Sequence, residues 1–326
     1  MTDSSRRRWA MTLAAAATVA GVGACGTPPG GQVDSARSPA PDTLHVMVAA
    51  SITQPMRAVL DSFSAGSGAA YTLEPGASLE VARLVVDARR RPDVLVLADP
   101  SIFARLLEPT YVTEYELVAR NRIVLAYTDA SRGAGTITPA NWRTVITRPG
   151  VQVGRADPNT DPSGYRALLV MHLAEQFYGE PGLYQRLLAA APPRNVRPRE
   201  ADQVALLQTH NLDYIWTYQN LAQDYGLRFV KLPDAVDLGS PADSAAYARA
   251  STRVLGARPG DTLTVRGTPI LFGAAVLVTA PHQALGRRFL DYLMSDAGRR
   301  IARARHLDLL DSAVTVRPSG ARSSSS

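Results

Sequence analysis

Between Asp93 and Ala98 the chain reads Val94-Leu95-Val96-Leu97, an aliphatic run with no polar alternate. Successive side chains of a strand point to opposite faces, so this run has to be covered on both of them. A sheet with one wet face is excluded, and helices on each side are required. The neighbouring sequence supplies them. Leu44-His45-Val46-Met47-Val48 reads as a strand, and from Ser51 a helical spacing follows in Met56, Val59, Leu60 and Phe63. Tyr71-Thr72-Leu73 is a second strand, and Gly76-Ala77-Ser78 turns into a helix carrying Leu79, Ala82, Leu84 and Val85.

The alternation resumes further on. Arg122 to Tyr127 is a long strand suited to a hinge, and Val151-Gln152-Val153 is another strand. Helices are expected from Pro162 to Phe177 and from Glu200 to Thr209, with a strand from Asp213 to Thr217. A second apolar run, Ile270 to Val278, leads into an amphipathic helix from Leu285 to Leu293. At 326 residues the chain has room for two such units. The pattern predicts an α/β protein of two lobes, each a mainly parallel sheet flanked by helices, with a ligand cleft between them. The first lobe is expected to comprise 43–126 and a return over 270–317, and the second 127–269.

The two ends read differently. Arg6-Arg7-Arg8-Trp9 precedes an apolar run from Ala10 to Ala24 of 15 residues, shorter than the roughly 20 needed to cross a bilayer. A basic start, a short apolar stretch and small residues before a cut site describe an export signal over 1–24. Val22-Gly23-Ala24-Cys25 resembles a bacterial lipobox, which makes Cys25 the expected lipidated first residue of the mature chain. Export and anchoring to the cell membrane, facing the periplasm or cell exterior, are the expectation. Residues 25–42, rich in Gly, Pro, Ser and Ala, read as a flexible tether, and 318–326 as a disordered polar tail. Cys25 is the sole cysteine, so no intrachain disulfide can form.

Charge and motifs exclude several functions. The formal charge is +6, but Arg6, Arg7 and Arg8 belong to the export signal and the other basic residues are scattered among acids. No basic block is interleaved with aromatics, which argues against nucleic acid. The chain has no Gly-X-Ser-X-Gly elbow, no His-Glu-X-X-His and no Gly-rich loop ending in Gly-Lys-Ser/Thr. Its histidines (His45, His172, His210, His282, His306) are dispersed. An enzyme using paired carboxylates in a cleft is the remaining catalytic alternative.

Four segments share one design, a strand followed by a short turn and a helix start: Ala49-Ala50-Ser51, Gly76-Ala77-Ser78, Asp161-Pro162-Ser163-Gly164 and Arg197-Pro198-Arg199-Glu200. Helix starts carry unpaired N–H groups and partial positive charge, so several converging on one cleft make an anion site. Singly, each is explained as a helix cap: Ser51 and Ser78 as caps, Asp161 as a turn acid before proline, Glu200 as a first-turn acid.

Asn121 to Thr128, Asp157 to Arg166 and Arg197 to Glu200, together with Leu212-Asp213-Tyr214 through Tyr218 and Leu232 to Gly239, resemble the tungstate/molybdate solute-binding proteins first recognised in archaea. The similarity covers nearly all of 43–310 and implies a type II periplasmic-binding-protein fold, a monomer that delivers its anion to an ABC permease and ATPase. Carried over by position, it implies an oxyanion site of Ala50, Ser51, Ser78, Asp161, Pro162, Ser163, Glu200 and Tyr218. Ser163 and Ala50 depart from the family's usual cysteine and glycine, and each keeps a backbone N–H. The resemblance further implies that Asp161 and Glu200 coordinate the Mo or W atom itself. No cofactor is implied.

Two carboxylates beside a dianion are otherwise unfavourable, since like charges at about 4 Å repel by roughly 4 kcal/mol at an effective dielectric near 20. Mo(VI) and W(VI) can expand from four to six oxygens and sulfur in sulfate cannot, so the acids would discriminate against sulfate. A binding protein for sulfate, phosphate or a small organic anion is the alternative within the same class.

Overall fold

A computed structural model describes residues 42–256 and 260–317. The expected export signal, Cys25 with nearly all of the tether, and the tail at 318–326 lie outside the described residues.

The strands are β1 (Thr43–Ala49), β2 (Ala70–Gly76), β3 (Val94–Leu97), β4 (Tyr115–Asn121), β5 (Ile123–Tyr127), β6 (Val153–Ala156), β7 (Val196–Arg197), β8 (Tyr214–Tyr218), β9 (Arg228–Lys231), β10 (Ser251–Leu255), β11 (Thr262–Arg266), β12 (Ile270–Val276) and β13 (Asp308–Val316). The helices are α1 (Thr53–Ser67), α2 (Ser78–Val86), α3 (Trp142–Ile146), α4 (Pro162–Tyr178), α5 (Leu183–Ala190) and α6 (Glu200–Gln208). They continue with α7 (Gln219–Asp224), α8 (Asp234–Asp237), α9 (Ser244–Tyr247), α10 (Gln283–Met294) and α11 (Asp296–Ala304).

One sheet has the order β13-β4-β12-β3-β1-β2, and the other β7-β6-β8-β5-β9. In the first, β1 lies parallel to β2 and β3, all four residues of β3 are buried, and the aliphatic run at 94–97 occupies the centre as its composition requires. Helix α1 turns Met56, Val59, Leu60 and Phe63 inward and ends at Gly68, whose φ of 74° is the left-handed stop that glycine adopts without strain. Phe63 packs edge-on to Phe289 of α10 at 5.5 Å. In the second sheet, Trp216 of β8 packs edge-on to Trp142 of α3 at 5.7 Å. Helix α4 is buried from Pro162 to Met171 without a break, so it is an interior helix with almost no wet face.

Both sheets are mixed, not mainly parallel. Strand β12 runs antiparallel to β3 and β4, and β5 antiparallel to β8 and β9. Parallel neighbours need a crossover of a dozen or more residues, usually helical. Strands β5 and β12 arrive from the other sheet without such a helix and enter in the opposite sense. The boundary between lobes also moves from the expected 126/127. Strand β4 belongs to the first sheet and β5 to the second, so the chain crosses at Arg122, the single residue between them.

Arg122 is held there by Asp237 at 2.8 Å and Asp234 at 3.0 Å. Beside it the chain returns to the first sheet, with the N–H of Ile270 donating to the carbonyl of Leu238 at 2.8 Å. The hairpin of β10 and β11, absent from the expected elements, projects from this return segment. At its tip, Leu255 N donates to Asn159 Oδ1 at 2.9 Å, and Arg83 of α2 donates to the carbonyl of Gly256 at 3.3 Å. Among the described residues no helix is long and apolar enough to cross a membrane.

Candidate functional site

The first lobe presents the ends of β1 and β2. After Ala49 the chain makes a single 3-10 turn, Ala50–Ile52, before α1 begins at Thr53. Ser51 is buried, and its carbonyl accepts from Asn220 Nδ2 at 2.8 Å. After Gly76, Ala77 caps α2 and Ser78 is the first helical residue. Neither serine is a helix cap. The Ser78 hydroxyl accepts from Ala98 N at 3.0 Å, which leaves its proton free to donate elsewhere. The N–H of Leu79, next along α2, donates across to the carbonyl of Thr160 at 3.2 Å, so the two lobes are in contact.

The second lobe presents the ends of β6, β7 and β8. Asp161 caps α4, and Pro162 takes the first helical position, where its missing N–H costs nothing. Asp161 Oδ1 accepts from the N–H and the hydroxyl of Ser163, both at 2.9 Å, and Oδ2 accepts from Glu200 N at 3.0 Å. A Cβ on Gly164 would sit 2.6 Å from the Ala156 carbonyl oxygen, so only glycine lets α4 start this close to the end of β6. Glu200 Oε1 accepts from Thr217 Oγ1 and from Tyr218 N. Glu200 Oε2 is buried with no partner among the described residues.

The electrostatics follow from this burial. Glu200 is 1% exposed, and burial, then the neighbouring Asp161 carboxylate, push its pKa up to about 8. Asp161 is also raised, burial outweighing its hydrogen bonds from Glu200 and Ser163. Both shifts favour the protonated form of these carboxyls.

Arg166, on the second turn of α4 and 3% exposed, is the cation of the site. Its Nη1 donates to the Ala98 carbonyl in the first lobe and to Tyr218 Oη at 2.6 Å. Beside it, Tyr165 Oη donates to Asp99 Oδ2, another bond between lobes. Burial pushes Asp99 up, but the Arg166 guanidinium and the bonds from Tyr165 and Ser101 outweigh it, and the carboxyl ends below its usual range.

A continuous path of contacts thus runs from Ser78 through Ala98, Arg166, Tyr218, Glu200 and Asp161 to Ser163. Ser51 lies off this path, its carbonyl held by Asn220 and Asn220 by Asn121, while Ala50 and Pro162 are chain neighbours of site residues. Arg166, Asp99, Thr217 and Asn220 are not among the residues selected from the sequence. Arg166 was legible: it lies three residues after Ser163 and four after Pro162, which on a helix is the same face. Asp99 and Asn220 become neighbours of the site only through the sheet order. No group of three or more His, Cys, Asp or Glu side chains among the described residues is arranged to hold a metal ion.

Two α/β units joined at crossing strands, with hydroxyls, a helix start and two buried acids gathered where they meet, make the two-lobed fold of type II periplasmic binding proteins. The chain belongs to the bacterial extracellular solute-binding protein family, whose model matches residues 44–307. It is 35% identical over 257 residues to an uncharacterised solute-binding protein of Petrotoga mobilis, covering 78% of this chain and 80% of that one. It is 30% identical over 300 residues to the molybdate/tungstate-binding protein WtpA of Thermococcus kodakarensis, covering 83% of each. The sulfate-binding protein SubI of Mycobacterium tuberculosis shares the fold at a TM-score of 0.60 and 16% identity, over 83% of this chain and 88% of that one.

Proposed function

We propose that this chain captures tungstate or molybdate outside the cytoplasm and delivers it to an ABC importer, held at the membrane by a lipid on Cys25. The residues proposed to bind the oxyanion are Ala50, Ser51, Ser78, Asp161, Pro162, Ser163, Glu200 and Tyr218, with Asp161 and Glu200 completing the shell of the Mo or W atom. The observation that carries this reading is the Glu200 side chain. One of its oxygens is fixed by Thr217 and Tyr218, while the other is buried without a donor. An orphaned buried oxygen costs about 1–3 kcal/mol, more for a charged group. A metal centre able to take a fifth and sixth oxygen repays that cost once Glu200 gives up its proton; sulfate offers no vacancy, and beside it the ionised carboxylate would only add repulsion. The WtpA relative supports the same choice.

Calorimetry on protein stripped of anion tests the proposal. Tungstate and molybdate are expected to bind tightly, in the nanomolar range near 12 kcal/mol, with no heat from sulfate. Tight sulfate binding with no tungstate heat contradicts it. The lipid is tested by mass spectrometry of the mature N-terminus, and an unmodified Cys25 overturns that part alone.

A further inference from the structure

A cavity of about 500 Å³ opens beside the oxyanion site and is lined by none of the residues proposed to bind the oxyanion. It is lined by Tyr165 and Arg166 of α4, by Asp99 bonded to Tyr165, and by β11 of the hairpin. Three guanidiniums, of Arg105, Arg166 and Arg266, face a single carboxylate, that of Asp99. The Arg166 charge is shared with the buried acids Asp99, Asp161 and Glu200, so the unspent charge is chiefly that of Arg105 and Arg266. Every hydrogen bond that Arg166 makes among the described residues leaves from Nη1, so Nε and Nη2 keep their protons free although the residue is 3% exposed. Arg105 makes no hydrogen bond or ion pair among the described residues. Arg266 reaches only the carbonyl of Ala248, at 3.5 Å.

Size and lining indicate the kind of guest. The volume falls within the roughly 300–1,000 Å³ of pockets for small organic molecules, far more than one tetrahedral oxyanion fills. Leu169, Leu263 and Val265 supply an apolar strip between the guanidiniums, and Thr264 and Thr268 add hydroxyls on the hairpin side. Guanidinium forks match carboxylates in a planar, two-bond geometry. We infer that this cavity is a second binding site, for a short organic acid carrying two carboxylates, and that its occupant braces the hairpin against the first lobe. Arg105 comes from the first lobe and Arg266 from the hairpin, so one dianion engaging both ties them together.

The test is calorimetry with succinate on the full chain, once stripped of anion and once saturated with tungstate. Succinate is expected to bind one per chain in both states. Propionate, with one carboxylate, and inorganic phosphate, with no apolar body, are expected to bind at least about 10-fold more weakly. Arg105→Ala and Arg266→Ala should each weaken succinate by about 10-fold or more and leave tungstate affinity within about twofold. Absence of succinate binding at millimolar concentration overturns the inference. So does succinate binding that survives both substitutions, that tungstate displaces, or that phosphate surpasses. The tungstate titrations of the same samples report separately on the oxyanion reading, so the two fail independently.

Discussion

The first lobe brings Ser51 and Ser78 to the cleft, neutral groups on short turns, whereas the second brings Asp161, Glu200 and Arg166, ionisable groups almost withdrawn from solvent. Hydroxyls and N–H groups donate to any tetrahedral oxyanion and distinguish little among them. Buried carboxylates accept only a guest that gives something back, so selectivity is expected to reside in the second lobe. Arg166 reaches from that lobe to the Ala98 carbonyl of the other, one of several bonds between the lobes, and its charge faces the buried acids Asp99, Asp161 and Glu200.

The largest effect is expected where that link is cut. Arg166→Met removes the cation facing buried Asp99 and the donor to Tyr218, and breaking a buried charge arrangement on one side costs about 3–5 kcal/mol. Denaturant unfolding should show that loss, and faster tungstate release should accompany it. A variant as stable as the parent would make Arg166 incidental.

Next comes Glu200→Gln, which leaves the fold intact and removes the free carboxylate oxygen. Tungstate affinity should fall by on the order of 100-fold, about 2.8 kcal/mol, while sulfate affinity should not fall with it. Equal loss for both anions would place selectivity elsewhere.

A pH dependence sharpens the same contrast. The folded-state pKa of Glu200, about 8, lies above the ordinary carboxylate value, so the folded form carries an extra proton. The stability from this group is complete below the unfolded pKa and is lost as pH rises through about 8. Thermal midpoints of anion-free protein should therefore fall between about pH 5 and pH 8 and level off above that, and Glu200→Gln should flatten that slope. Tungstate takes the ionised carboxylate, so binding at neutral pH should release a proton, visible as a dependence of the binding heat on buffer ionisation enthalpy.

The smallest effect belongs to the first lobe. Ser78→Ala strands Ala98 N and removes one donor, worth about 1 kcal/mol and several-fold in affinity. Tungstate and sulfate should suffer alike. Selective loss of tungstate would place discrimination in the neutral wall.

The legible parts of the molecule were those written locally. The run at Val94–Leu97 announced a covered strand, Asp161-Pro162 a helix start, and Glu200 a first-turn acid, and each stands where its neighbours put it. The orientation of β5 and β12 was not legible, because direction in a sheet depends on whether the chain arrives through a helix or straight from the other lobe. The hairpin of β10 and β11 was missed because its strands pair chiefly with each other, and its exposed alternation (Ser251 to Leu255, Thr262 to Arg266) gives no core signal. Thr217, one partner of the acids, was hidden for a similar reason. Thr217 and Tyr218 reach Glu200 only because β6 lies between β7 and β8.

The central claim is that the second lobe's acids enter the coordination shell of the guest, and X-ray absorption at the tungsten edge of the loaded protein tests it most directly. The account predicts about six oxygens around the metal, falling to about five in Glu200→Gln. A four-oxygen tetrahedron in the unaltered protein would contradict it.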